Sequence, residues 1–240
     1  MPGCLRSYKV LMFIMAIGLM RNAFAQTTPA GAIADASATL RSNYYQQTAR
    51  QLRLYNGIKY VEYNAYYTGN PCFNINSFQN TTLYYDGSKF ENTPALYDMY
   101  REMVVVKYAD TTEKISLINI RLDSFNMSGY KFIRIDAANI KPGFYQLLYD
   151  GKTQLLKKYA VATEDDRSGA VVRHQFYQSS TYYVLKNGMY NNVSGGRALL
   201  SQLKDKRKQL NEYLKANKID NRLAEEDMIR LLLYYDKLNG

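Results

Sequence analysis

The chain has 240 residues, a formal charge of +10, one histidine, two cysteines, no tryptophan and 24 tyrosines. One imidazole and two thiols are too few for a zinc or other transition-metal cluster, which needs grouped His, Cys and carboxylate ligands. The length suits one domain with an appended subdomain and is enough to bury a substantial core.

Residues 1–25 read as a secretory signal peptide. Arg6 and Lys9 precede an apolar run from Val10 to Met20, and Ala23-Phe24-Ala25-Gln26 supplies a small-residue cleavage site. That run is shorter than the roughly 20 apolar residues that span about 30 Å of hydrocarbon. Cleavage removes Cys4, Arg6, Lys9 and Arg21, leaving 28 basic against 21 acidic residues, formally +7. This moderate excess favours contact with an anionic surface. No later apolar run reaches transmembrane length, so the processed chain is expected to be soluble or peripheral. Cys72 is then alone, cannot form an internal disulfide, and is expected as a small buried hydrophobe.

Residues 26–38 are small and polar and read as a flexible leader. Leu40, Tyr44, Thr48, Leu52 and Tyr55 recur at helical spacing, which predicts a short amphipathic helix over 39–53. This helix is expected to lead an antiparallel β domain spanning 39–193.

From Tyr55 onward, short segments rich in Tyr, Val, Ile, Phe and Thr are punctuated by Asn56-Gly57, Asp86-Gly87, Asp150-Gly151 and Asn187-Gly188, with Ser128-Gly129 as a weaker member. Such pairs supply the two positive φ angles of a type I′ turn, whose twist matches that of the flanking strands. Positive φ is therefore expected at Gly87, Gly151 and Gly188. Thr82–Tyr85, Lys114–Ile120, Lys131–Ile135, Phe144–Tyr149, Thr153–Val161, Tyr182–Lys186 and Met189–Val193 read as strands. Hairpins in succession predict a mainly β fold: a meander, a sandwich or a partly closed barrel. Residues 164–172 read as an exposed loop.

After Val193 the period becomes helical. Residues 194–240 read as a C-terminal helical hairpin packed on the sheet, with Ser194 capping the first helix and Asp220 or Asn221 the second. Leu199, Leu203, Leu210 and Leu214 form one apolar stripe. Met228, Leu231, Leu232, Tyr235 and Leu238 form the other. Glu225, Glu226 and Asp227 fall in the first turns of the second helix, where its dipole favours anions.

Chemistry-bearing motifs are sparse. No Gly-x-Ser-x-Gly elbow, phosphate-cradling loop or alternating-acid calcium loop is present. His174 is expected to open a strand, and Glu164, Asp165 and Asp166 to be solvated acids. No catalytic residue, cofactor or metal ligand is assigned. Tyr63, Tyr66 and Tyr67 lie near Gly69-Asn70-Pro71, where exposed tyrosine gives amphipathic contact area for sugars or proteins. Lys204, Lys206, Arg207 and Lys208 form a basic run opposite the first leucine stripe. These seven residues are the candidate interaction sites. Export, interspersed acids and the lack of an RNA- or DNA-binding motif argue against nucleic acid.

Tyr55-Asn56-Gly57, the Tyr-Asp-Gly hairpins at 85–87 and 149–151, Pro142-Gly143-Phe144-Tyr145 and the Lys-rich helices ending near Tyr234-Tyr235-Asp236 together give the chain a resemblance. Over most of 52–240 it resembles a group of secreted proteins of Bacteroidota bacteria that has no assigned activity. The resemblance implies a periplasmic or cell-surface location and adds no site residues. The functional expectation is an exported, non-catalytic envelope protein that binds a partner protein or an anionic envelope component. The alternative is a β-fold binder of a small ligand, lipid or glycan, with its cavity between the sheet and the C-terminal helices. A carboxylate-based hydrolase ranks last.

The intact mass of the exported protein is expected to correspond to a chain starting at Gln26. Retention of residues 1–25 would overturn both the cleavage and the peripheral reading.

Overall fold

The computed structural model describes residues 30–48, 53–108, 111–220 and 223–240. The signal peptide expected over 1–25 lies outside the described residues. The chain divides into two compact units, Met1–Thr48 and Ala49–Gly240. In the first, helix α1 runs Ala30–Thr48. It covers residues 30–38 of the stretch read as a flexible leader. Ala30, Ala32, Ala34, Ala36 and Ala38 favour helix strongly, a propensity that outweighs the polar character of that stretch. Arg53, expected as the last residue of a helix over 39–53, instead opens a 3₁₀ turn, Arg53–Tyr55, in the second unit.

The second unit is mainly β, and among its described residues twelve strands form one sheet. They are β1 Ile58–Lys59, β2 Tyr67–Thr68, β3 Gln79–Tyr85, β4 Ser88–Asp98, β5 Met103–Lys107 and β6 Lys114–Ser116. After a 3₁₀ turn at Asn119–Arg121 come β7 Leu122–Met127, β8 Tyr130–Ala137, β9 Ile140–Asp150, β10 Gln154–Asp166, β11 Arg173–Lys186 and β12 Met189–Val193. The order is β1-β6-β5-β4-β3-β7-β8-β9-β10-β11-β12. From β3 onward it is a meander with one crossover: after β6 the chain returns past β5, β4 and β3 to place β7 on the far side of β3, while β1 adds to β6 and β2 to β11. Lys114–Ile120, expected as one strand, is a strand only to Ser116, because residues 117–121 make this return.

Three turns have the expected chemistry. Asp86-Gly87, Ser128-Gly129 and Asn187-Gly188 all have positive φ at both positions, and each joins strands in register across two residues. The Asp150-Gly151 turn differs. β9 and β10 close at Asp150↔Gln154 over three residues, and Gly151 does not have positive φ. A Cβ on Gly151 would collide with the Tyr149 hydroxyl and the Asp236 carboxylate. Glycine is needed there for room rather than for backbone conformation. The acids Glu164 to Asp166, expected in a loop, continue strand β10, which pairs with β11 as far as Asp166↔Arg173.

Alternation sets the core. On β3, Thr81, Leu83 and Tyr85 point inward. Leu83 and Tyr85 join Tyr97, Val104, Val106, Phe125, Phe132 and Phe144 in one cluster, where the Phe125 and Phe132 rings stack at 4.7 Å. On β5, Val105 is also buried, on the opposite face, with Cys72 and Leu96. Residues 60–78 therefore cover the outside of β4 and β5.

The C-terminal layer is α2 Gly196–Gln202, a 3₁₀ turn at Lys204–Lys206, α3 Arg207–Ala216 and α4 Glu225–Leu238. The expected first helix is thus broken at Leu203. Neither α2 nor α4 has the expected side-chain cap: Gly195 and Ala224 occupy the cap positions. The stripes hold. Leu199, Leu203, Leu210, Leu214, Met228, Leu231, Leu232 and Tyr235 are buried against Leu155, Val184 and Val193 of the sheet. The Asp236 carboxylate accepts from the Tyr149 hydroxyl at 3.0 Å and from Thr153 N and Oγ1 at 3.0 and 2.9 Å. Glu225 accepts from Lys157 and Tyr182, and Asp205 from Lys186 and Tyr235.

Gly151→Val should cost about 2 kcal/mol in urea unfolding, because it displaces the hydrogen bonds from Tyr149 and Thr153 to Asp236. Leu231→Asp should cost more than about 3 kcal/mol, since it forces an unpaired carboxylate into a sealed apolar seam. A thermal midpoint equal to wild type would refute either account.

Candidate functional site

Residues 60–78 span both flanks of the sheet. Just before them, β1 adds to β6; within them, β2 pairs in parallel with β11 at Tyr67↔His174 and Thr68↔Gln175. Between these anchors, Cys72 makes a bridge to Asp98 at the end of β4. Phe73 N donates to Tyr97 O at 2.8 Å, and Met99 N donates to Pro71 O at 2.9 Å.

Asp98 is fully buried and organises this region. Its Oδ2 accepts from the hydroxyls of Tyr60 at 3.0 Å and Tyr63 at 2.7 Å. Its Oδ1 accepts from the backbone N–H groups of Tyr100 at 3.0 Å and Arg101 at 2.9 Å. The Arg101 guanidinium lies 4.0 Å from the centre of the Tyr63 ring, a cation–π contact, and donates to Val61 O. Burial, reinforced by Asp98, raises both tyrosine hydroxyls far above their ordinary range, so they remain protonated donors. Burial and then the Asp98 charge push the Cys72 thiol up to about 12. A thiol so raised is neutral at physiological pH and is not an activated nucleophile.

Around this node the aromatic rings cluster. Tyr63 meets Phe176 edge-on at 5.0 Å, Tyr67 stacks on Phe176 at 5.3 Å, and Tyr100 meets Phe176 at 5.2 Å. The rings of Tyr67 and His174 lie 4.9 Å apart, and His174 Nδ1 is 2.9 Å from Asp165 Oδ1. Beside the cluster opens a cleft of about 350 Å³. Tyr60, Tyr63, Tyr67, Phe78 and Phe176 form its apolar wall, with Glu62, Asn64, Asn76, Ser77 and Lys114 as its polar lining. Glu62 and Lys114 form an ion pair with each other. A second cavity of about 350 Å³ is lined by the β10–β11 loop and the strand ends flanking it.

Of the expected contact residues, Tyr63 and Tyr67 line the cleft while Tyr66 stands exposed beside it. Lys204, Arg207 and Lys208 are exposed and Lys206 is half-buried. They sit at the 3₁₀ turn and the start of α3, with no ion-pair partner among the described residues. The cleft does not lie between the sheet and the C-terminal helices, where the expected cavity was placed. Side chains fill that seam. Sequence reasoning missed Asp98, Phe78, Asn76, Lys114 and Phe176. Asp98 carried one local sign: an acid entering a turn bonds the backbone two residues on, as it does here to Tyr100.

Among the described residues no group of three or more His, Cys, Asp or Glu could hold a metal ion, and no helix is long and apolar enough to cross a membrane. No protein-family model, curated protein or solved structure matches the chain.

Cys72 should react with a thiol reagent at pH 7 only after denaturation. Rapid labelling of the folded protein would refute its sealed position between Asp98 and the outer face of β5.

Proposed function

We propose that the chain is an exported, non-catalytic protein of the bacterial envelope that binds an envelope component through the aromatic cleft of residues 60–78. One observation carries the reading. A preformed wall of rings, Tyr63, Tyr67 and Phe176, stands beside exposed Val61, Tyr66 and Tyr100. Tyrosine offers rigid amphipathic contact area at low entropic cost, because little side-chain freedom is lost on binding. Here the rings are locked before any ligand arrives, since Tyr63 is held by Asp98 and Tyr67 by its pairing with β11. The hydroxyls of Tyr60 and Tyr63 are occupied by Asp98 and raised in pKa, which suits walls better than proton donors and acceptors in a reaction. The resemblance to secreted Bacteroidota proteins and the signal peptide read at 1–25 support the location.

The test is capture from a Bacteroidota envelope extract on immobilised protein, read by mass spectrometry. Tyr66→Ser changes an exposed ring and should cost less than about 0.5 kcal/mol, while Tyr100→Ser also loses its edge contact with Phe176 and should cost about 1 kcal/mol, leaving the protein folded. Together they should reduce the captured component by about tenfold, a loss of about 1.4 kcal/mol. Undiminished capture would overturn the assignment of this face. Loss of capture with Lys204→Glu and Lys208→Glu instead would move the binding surface to the basic run on α3.

A further inference from the structure

We infer that the cleft beside Asp98 takes a neutral saccharide, one or two sugar rings at a time. The inference rests on the reading of this cleft as the binding face and names the ligand class.

The cleft's chemistry is two-sided. One wall is aromatic: Tyr63, Tyr67 and Phe78, backed by Phe176 and Leu96. The other lining is amide and hydroxyl: Asn64, Asn76 and Ser77. Sugar rings present the same two sides. Their C–H faces are apolar enough to lie on an aromatic ring, and their hydroxyls both donate and accept hydrogen bonds. A lipid chain would leave the amides unpaired on burial, which disfavours it. A peptide strand would need a free row of backbone groups along the cleft. The backbone here is instead taken up by β2 on β11 and by the bridge from residues 71–73 to the end of β4.

Charge argues for a neutral ligand. The two ionised groups of the lining, Glu62 and Lys114, neutralise each other. The nearby Asp98 carboxylate already accepts four hydrogen bonds. An anionic sugar would have to break the Glu62–Lys114 pair, and a cationic one would meet Lys114. The donors and acceptors left for a ligand are mainly uncharged. Asn76 uses its oxygen on the Cys72 thiol and keeps its NH₂ group for the cleft, and Asn64 uses its oxygen on Tyr66 N. At about 350 Å³ the space lies at the small end of ligand clefts, so it seats a short stretch of glycan rather than a large cofactor.

The test uses the full mature chain and four neutral probes: cellobiose, maltose, lactose and N,N′-diacetylchitobiose. Each is titrated to about 10 mM, tenfold above a weak millimolar affinity, and followed by amide NMR shifts and calorimetry. At least one should bind saturably and shift the amides of 62–67, 76–78 and Lys114. Ser77→Trp places bulk in the cleft from an exposed position and should abolish binding without moving the thermal midpoint. Tyr67→Ala should weaken binding by about tenfold or more, while Tyr177→Ala, an exposed ring on the same strand as Phe176, should not. Binding that survives Ser77→Trp would overturn the site. Absence of binding for all four probes would overturn the saccharide class. If capture from envelope extract still depends on Tyr66 and Tyr100 in that case, the cleft remains the binding face for another ligand. If that dependence fails too, the binding face itself falls.

Discussion

The buried carboxylate of Asp98 is the constraint around which the site is organised. An ionised group taken out of water costs several kcal/mol unless its lone pairs are filled by donors. Asp98 finds two donors in its own turn, Tyr100 and Arg101, and two in a distant segment, Tyr60 and Tyr63. Turn and segment are thereby obliged to order together. The same turn extends the constraint inward. Glu102, held at positive φ, accepts from Phe144 N at 3.0 Å and pairs with the largely buried Lys158, which bridges to Phe144 O where β9 and β10 part company. Residues 98–102 thus tie the outer segment, the core of the sheet and the split between two long strands to one another.

A second pattern explains the tyrosine-rich composition. Carboxylates repeatedly meet phenol hydroxyls across element boundaries. Tyr60 and Tyr63 donate to Asp98, Tyr149 to Asp236, Tyr182 to Glu225 and Tyr235 to Asp205. Each tyrosine buries an apolar ring while its hydroxyl satisfies an acid that would otherwise be stranded. In a chain without tryptophan and with no disulfide among its described residues, this pairing fastens the helical layer and the outer segment to the sheet. It asks for many tyrosines, and for acids at positions that look unremarkable along the chain.

Local patterns in the residues were readable wherever a short-range cause dominates. Asp86-Gly87 and Asn187-Gly188 made their type I′ turns because the two positive φ angles are a property of the dipeptide. The stripe of Leu210, Leu214, Leu231 and Tyr235 was buried because helical period alone sets that face. Gly151 shows the limit. Its hairpin is real, but its turn is shaped by Asp236, more than eighty residues away, so the dipeptide predicts the wrong backbone. The helix break at Leu203 is likewise tertiary, since Asp205 leaves a regular path to reach Lys186 and Tyr235. At the site, Tyr63 and Tyr67 were legible as tyrosines beside a loop. Lys114 and Phe176 were not, because they join the cleft only through pairings between strands remote in sequence.

The clamp of Asp236 on the β9–β10 turn has a temporal side. Tyr149 and Thr153 cannot find their acceptor until the polypeptide has been made past residue 236. Tyr182 and Lys157 likewise wait for Glu225. Contacts so far apart along the chain form late, because long loops must close before they are rewarded. During synthesis β9, β10 and β11, toward one end of the sheet, therefore lack these fasteners until the C-terminal helices are made. Under the proposed export, such postponed locking would keep the nascent polypeptide extensible until α4 has been made.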